Sequence, residues 1–508
     1  MWIKAGLIGA VLAAPLAAQD GQAPMSAIDW LSKSVREKPV QVDPNPPSKD
    51  GATTTAISVT TLESISKDTV GLLPSSVSGL PHNFWGDSSA ETISGLIAQQ
   101  KTDSLPEILT LLYTVLLSEV DAPKSDHGGT VLLLARIDKL LDLGALDQAQ
   151  ALIERAGPTE AEIFRRWFDV SLLTGHEDRA CTAMRAAPGF APTLQARVFC
   201  LARNGDWNAA ALTLATGESL DYISTPEADL MARFLDPELY DGEPDIPAPS
   251  PLTPLMFTMR EAIAQPRPSG ALPLAFVNAD LSVSAGWRNQ MAAAERLVRS
   301  QAIHPQRLIE LYTERQAAAS GGIWNRVVAI QELDVALLSG DLTAISATLP
   351  PAFSAMEQAA LELAFAQTFG PRLANLSLTG EARDVAFRVV LLSADYESAS
   401  QDAPAGIANT AFLQGLARGN VTGIAPPGVL GQAIAEAFSL PRPKGELNDL
   451  LDEGKLGEAI LRAMIQLKDE SFADPGDITA ALATFRAVGL EQEARRTAIQ
   501  LLLLERRG

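Results

Sequence analysis

Two cysteines are the residues of this 508-residue sequence whose chemistry is most specific. Cys181 falls on the second helix of one predicted helix pair, and Cys200 falls on the first helix of the next. A disulfide between them would join neighbouring helices and, in the loop-entropy model, would stabilise the fold by about 3 kcal/mol. We favour this disulfide over two separately buried thiols, and the absence of a Cys-x-x-Cys motif excludes a dithiol redox site.

The four histidines do not have the spacing of a metal site. Paired ligands on one helix stand one turn apart, whereas His82, His127, His176 and His304 are scattered over the chain. We therefore predict no metal ligand and no cofactor.

One short segment near the C-terminus comes closest to a nucleotide-binding or catalytic pattern. A phosphate-binding loop needs a glycine upstream of its Gly-Lys pair, but Asp449 stands at that position before Gly454 and Lys455. The acidic neighbours Asp452 and Glu453 are adjacent on a helix end, so their side chains face apart and cannot converge on one substrate bond. We predict no catalytic residue and a protein that is not an enzyme.

Residues 1–18 are predicted to be a secretory signal peptide. Lys4 supplies a positive charge, an apolar run covers residues 5–14, and small residues precede the expected cleavage after Ala18. A retained membrane anchor is the alternative, but a run of about 14 residues is shorter than the roughly 20 that a span needs. We expect a mature chain that begins at Gln19, has no stable membrane span and lies in a bacterial periplasm.

The sequence is acidic, with 40 basic and 61 acidic residues and a formal net charge of -21. Such a charge repels the phosphates of nucleic acids, and no local cluster of Lys and Arg offsets it. We therefore predict no nucleic-acid partner. The acidity serves either solubility or the attraction of a basic protein.

After the signal peptide, residues 26–35 could form two helical turns. They would place Ile28, Leu31 and Val35 on one side, with Trp30 beside them. This candidate docking turn could bind a partner protein or fold back onto the body of its own chain. The Pro, Thr and Ser residues that follow cannot bury enough apolar surface to fold.

A loop rich in Gly and Pro precedes the first long helices. We expect it to wrap around those helices, with Phe84 and Trp85 buried against them. An exposed aromatic binding loop is the alternative.

A repeated Gly-x-Leu/Trp-x-x-Ala kernel indicates an array of helix pairs. Its glycines, Gly144, Gly175 and Gly205, are spaced by about 30 residues, a period typical of helical-pair repeats. The glycine would end the first helix of a pair in a left-handed conformation, and the alanine five positions later would let the second helix pack closely. The kernel returns at Gly454 and Gly489, and a looser copy at Gly340 has isoleucine in place of alanine.

These patterns predict an all-α protein, an α-solenoid of tetratricopeptide-like helix pairs in two lobes with a disordered N-terminal leader. The predicted units are the signal peptide 1–18, the leader and wrapping loop 19–86, the N-terminal helical lobe 87–236, a Pro-rich linker 237–283 and the C-terminal helical lobe 284–508.

The kernel resembles that of the tetratricopeptide group, although most aromatic positions of the group's consensus are missing. The order of signal, docking turn, Pro/Thr leader, loop at residues 71–86 and helix pairs with two cysteines also resembles exported alphaproteobacterial proteins that carry an automatic antifreeze label. No threonine periodicity suited to an ice-binding face is present. By layout alone, the chain is similar to the MotC-like periplasmic proteins of the flagellar motor, a resemblance that implies contact with the stator.

The sequence therefore predicts a periplasmic, non-catalytic scaffold for envelope proteins, with flagellar stator components as the named candidate partners. The alternative is a cell-envelope enzyme or a glycan-binding protein that acts on peptidoglycan.

Overall fold

A computed structural model describes residues 66–124, 129–247, 249, 251–266, 268–401, 404, 407, 409–467 and 474–504. The predicted signal peptide and the candidate docking turn with Ile28, Trp30, Leu31 and Val35 lie outside these residues. The same holds for His127.

The described residues form 24 α-helices and no β-strand, which confirms the predicted all-α class. In the first half of the chain the helices are α1 (Ser75–Ser78), α2 (Ala90–Ala98), α3 (Pro106–Leu117), α4 (Val131–Asp142), α5 (Leu146–Ala156), α6 (Ala161–Leu173), α7 (Glu177–Ala186), α8 (Leu194–Arg203), α9 (Trp207–Ser219), α10 (Thr225–Leu235), α11 (Pro254–Ala262) and α12 (Leu274–Val277). In the second half they are α13 (Trp287–Arg299), α14 (Pro305–Glu314), α15 (Ile323–Ser339), α16 (Leu342–Glu357), α17 (Glu362–Leu373), α18 (Gly380–Leu392), α19 (Thr410–Arg418), α20 (Gly428–Ser439), α21 (Glu446–Asp452), α22 (Leu456–Gln466), α23 (Pro475–Ala487) and α24 (Glu491–Leu503).

The kernel glycines end helices as the sequence predicts. Gly144, Gly175, Gly205, Gly454 and Gly489 all have positive φ, between 73° and 90°. In each case the next residue donates its N–H to the carbonyl oxygen five positions earlier, over 2.8–2.9 Å, which is the hydrogen bond of a Schellman cap. The alanines five positions after these glycines are all fully buried, so each second helix packs closely against its neighbours.

The Pro-rich segment predicted as a linker carries α11 and α12, and its apolar side chains are packed. Leu252, Phe257 and Phe276 are buried. Helix α11 contacts α6 and α10, while α12 contacts α4. Pro254 is the first residue of α11 and Pro273 directly precedes α12, and a proline at such a position removes no hydrogen bond from the helix.

Helices near the start of the described chain pack against the last described helices. Helix α2 contacts α22 and α3 contacts α24, and one large hydrophobic core contains side chains from both ends of the chain. A second core lies among α13 to α18. The boundaries of the two predicted lobes therefore stay a prediction. Helices from the two predicted lobes share the large core.

Hydrogen bonds and an ion pair hold these ends together. Ser88 donates its hydroxyl to the Glu458 carboxylate over 2.9 Å. The Gln500 side-chain oxygen accepts the backbone N–H of Glu107 over 2.8 Å, and Arg496 pairs with the Glu107 carboxylate at 3.2 Å.

Phe84 and Trp85 are buried, and a helix near the C-terminus is among their neighbours. The backbone N–H of Gly457, in the first turn of α22, donates to the Phe84 carbonyl oxygen over 2.9 Å. A Cβ atom on Gly457 would lie 2.5 Å from the Trp85 ring. From the sequence we expect this loop to pack against the first helices, and the structure shows that it also contacts α22.

Among the described helices, none combines the length and the apolar character required to cross a bilayer.

Candidate functional site

The two cysteines form a disulfide that joins α7 to α8. Both side chains are buried. The bond connects the second helix of one pair to the first helix of the next, which is the placement expected from the sequence. Because it joins two packed helices, the disulfide holds this part of the array together.

The histidines within the described residues serve local contacts. His304 caps α14 by accepting the backbone N–H of Gln306, while the rings of His82 and His176 lie beside hydroxyl groups. No group of three or more His, Cys, Asp or Glu side chains that could hold a metal ion occurs among the residues that the structure describes.

An apolar cleft of about 440 Å³ lies on the first helices of successive pairs. Helices α6 and α8 are the first helices of their pairs, and α10 follows in the same position. Helix α11 of the Pro-rich segment forms the opposite wall. We call this the α6–α11 cleft. Its apolar lining consists of Phe168, Pro192, Ala196, Pro226, Leu230, Met231, Pro249, Pro251, Pro254, Leu255, Met256 and Met259.

Three helices begin at the rim of the cleft, each with a capping residue. The Thr193 hydroxyl accepts the N–H of Ala196 at the start of α8, and the Thr253 hydroxyl accepts the N–H of Met256 at the start of α11. Ser224 and Glu227 form a reciprocal capping box on α10. Three helices therefore begin at this rim because their sequences carry a capping residue there.

Arg165 and Asp169 bring charge into the cleft from adjacent turns of α6. Arg165 is buried and Asp169 is half-buried. Burial raises the pKa of Asp169 from 3.8 to about 7, although the nearby Arg165 and Arg166 guanidinium groups lower it in part. The cleft thus holds a carboxyl group that changes its charge near neutral pH.

Two more polar groups face each other across the cleft. The Gln195 side-chain amide donates to the Glu227 carboxylate over 3.3 Å. An apolar floor with a few polar groups of this kind is typical of sites for small ligands or short peptide segments.

A further cleft of about 390 Å³ lies where α3, α13 and α17 meet. Gln301 and Ala360 line it, with φ values of 58° and 53°, which are unusual for residues with a side chain. The Gln301 amide donates to the Pro106 carbonyl oxygen and accepts the Thr110 hydroxyl. Because the α6–α11 cleft is larger and has a more apolar lining, it is the stronger candidate.

The sequence did not predict the α6–α11 cleft as a site. One feature of the sequence could have indicated it. Arg165, Arg166 and Asp169 lie within a helical run whose other residues are mostly apolar. Charged residues in such a run either pair within the core or face a cavity. Arg166 pairs with Asp138 and Glu162 at 2.6 and 3.2 Å, whereas Asp169 faces the cleft.

No protein-family model, curated protein or solved structure matches this chain.

Proposed function

We propose that the protein is a non-catalytic periplasmic scaffold that binds a segment of another envelope protein in the α6–α11 cleft. This proposal rests on the cleft itself, which is lined by α6, α8 and α10 on one side and by α11 on the other. Stacked helix pairs offer extended surfaces that suit the recognition of protein segments.

The lining of the cleft indicates the chemistry of the bound segment. Three methionines, Met231, Met256 and Met259, give an adaptable apolar floor for a large aliphatic or aromatic side chain. Asp169 and Glu227 would accept hydrogen bonds from a lysine, an arginine or a backbone N–H of the segment. The negative field of the whole chain would attract a basic partner from a distance.

Flagellar stator components are the first partners to test, because the layout of the chain is similar to that of MotC-like proteins. A strain that lacks this protein should swim poorly in soft agar while its cell wall keeps a normal muropeptide composition. Normal swimming would exclude the stator as the partner, and an altered wall composition would favour an envelope enzyme or a glycan-binding protein.

A variant of the cleft links that phenotype to the proposed site. Met256 is only partly buried, so Met256→Asp should place a charge on the cleft floor without unfolding the chain. We expect it to fail to restore swimming, while Leu338→Asp, at a position 74% exposed on α15, restores it. Equal restoration by both, at matched protein levels and matched circular dichroism, would contradict the assignment of the cleft.

A further inference from the structure

One face of helix α9 is apolar and exposed to solvent. The side chains of Trp207 and Leu212 are 51% and 70% exposed, and Leu220 and Tyr222 in the following turn are also exposed. No charged residue occurs from Trp207 to Gly217. Monomeric proteins rarely leave such a face uncovered.

The two preceding second helices of the array, α5 and α7, carry charge on the corresponding face. Counted from the kernel glycines, Asp147 of α5 and Asp178 of α7 correspond to Asn208 of α9, and Glu154 and Arg185 correspond to Ala215. All four of these charged residues are exposed. The outward face of α9 therefore differs in chemistry from its counterparts within the same fold.

The end of the array explains why this face lacks a neighbour. Successive second helices lie side by side, as the ion pair between Glu154 of α5 and Arg179 of α7 at 3.1 Å indicates. After α9, helix α10 ends at Leu235 and the turn Pro237–Tyr240 follows, so the described part of the chain has no further second helix beside α9. An added helix could occupy that position.

The surroundings of the face favour a basic helix. Asp206, Glu218 and Asp221 are exposed around it. Of the basic residues nearby, Arg203 pairs with Asp178 at 2.7 Å and Arg233 pairs with Glu243 at 3.1 Å.

Residues 26–38 of this chain have the matching chemistry. A helix there would carry Ile28, Leu31 and Val35 on one side. The segment contains Lys33, Arg36 and Lys38 against Asp29 and Glu37, which leaves a net charge of +1 (3 − 2). We propose that residues 26–38 bind the exposed face of α9 as an amphipathic helix and take the place of the missing second helix.

The length of chain between this segment and the described residues permits the contact. The described chain begins at Ser66, and Lys67 pairs with Glu160 at 2.8 Å, at the start of α6. The pair that contains α6 directly precedes the pair that contains α9, so the two places lie within a few helix diameters of about 10 Å. A chain of roughly 30 residues can reach about 100 Å when extended, which exceeds this distance.

Site-specific photocrosslinking of the full mature chain tests the proposal. A photoreactive phenylalanine analogue in place of Leu31 should form cross-links to peptides from residues 207–222, identified by mass spectrometry. The same analogue in place of Thr54, outside the segment, should show no preference for those peptides. No cross-link from position 31 to α9, or a preference for another surface, would overturn the proposal.

Two further variants and an isotope mixture identify the occupant. Leu212→Asp should reduce the α9 cross-links several-fold, whereas Leu338→Asp, at an exposed leucine of α15, should leave them unchanged. The opposite result would overturn the proposal. In an equal mixture of ¹⁴N- and ¹⁵N-labelled protein the cross-links should join peptides of one isotope. Mixed-isotope cross-links would mean that a second copy covers α9, against the proposal.

Discussion

Asp169 has a protonation state that is coupled to folding. Its pKa is about 7 in the folded protein and 3.8 in an ordinary exposed setting, so the folded state binds a proton that the unfolded state has released. The stability that the neutral form of Asp169 contributes to the folded state is complete below a pH of about 4, and it is lost as the pH rises through about 7.

Asp169→Asn should therefore reduce the pH dependence of stability. Between pH 5 and 8 we expect the free energy of unfolding to fall by about 2 kcal/mol more in the wild type than in the variant, since one unit of pKa corresponds to about 1.4 kcal/mol and water reaches part of the side chain. Urea denaturation at both pH values measures this difference. Identical pH dependence in the two proteins would mean that Asp169 is ionised throughout this range.

The disulfide between Cys181 and Cys200 gives a second prediction for single residues. The double variant Cys181→Ser, Cys200→Ser should lose about 3 kcal/mol of unfolding free energy, because the bond restricts the unfolded chain. Denaturation with and without a reducing agent checks this value. The reductant should weaken the wild type to the level of the variant and leave the variant unchanged, and an unaffected wild type would contradict the prediction.

At this scale the sequence was informative for the cysteines and incomplete for the cleft. The pairing of Cys181 and Cys200 followed from the positions of two predicted helices. The role of Asp169 did not, because the other walls of its cleft come from α8, α10 and α11, and the sequence does not fix how these helices approach one another.

The helix pairs are set by the turns between their members, and two kernel glycines allow a matched test. Both Gly144 and Gly175 have positive φ, but a Cβ atom on Gly144 would lie 2.8 Å from a Leu297 methyl group, whereas nothing lies within 4 Å of one on Gly175.

Gly175→Ala should cost about 1 kcal/mol of stability through backbone strain alone, and Gly144→Ala about 3 kcal/mol because steric overlap adds to that strain. Thermal or urea denaturation of the two variants, compared with the wild type, measures both costs. Equal costs would contradict the tight packing of this turn against Leu297.

The elements of the repeat were predictable because each depends on local chemistry. A left-handed glycine and a small alanine five residues later specify one hairpin of helices without reference to the rest of the chain. The Pro-rich segment was harder to interpret. Its prolines correctly indicated helix ends, but the burial of Phe257 and Phe276 depends on contacts with α4, α6 and α10 that no local pattern reveals.

At the scale of the whole molecule, the contact between the chain's two ends is the main feature that sequence patterns did not predict. Ser88 and Glu458 are 370 positions apart, and Glu107 and Gln500 are 393 positions apart. Local periodicity reports which face of a helix is apolar and does not identify the distant helix that covers it.

Two helical glycines provide opposite predictions for this contact. Gly457→Ala should destabilise the protein by about 1–3 kcal/mol, because the new methyl group would overlap the Trp85 ring. Gly95→Ala on α2, where nothing lies within 4 Å, should stabilise it by about 0.5–1 kcal/mol, as alanine normally does within a helix.

Denaturation curves of these two variants suffice for the measurement. Stabilisation by both substitutions would show that the loop with Trp85 does not rest on α22 in solution.

The meeting of the chain's ends has a consequence for biogenesis. Ribosomes add about 5–20 residues per second, so Phe84 and Trp85 would wait roughly 20 to 80 seconds before Gly457 is made. During that interval their apolar rings lack a partner that covers them in the finished protein. A nascent chain of this kind is a natural client for holding chaperones, and truncated translation products should be cleared quickly by proteases.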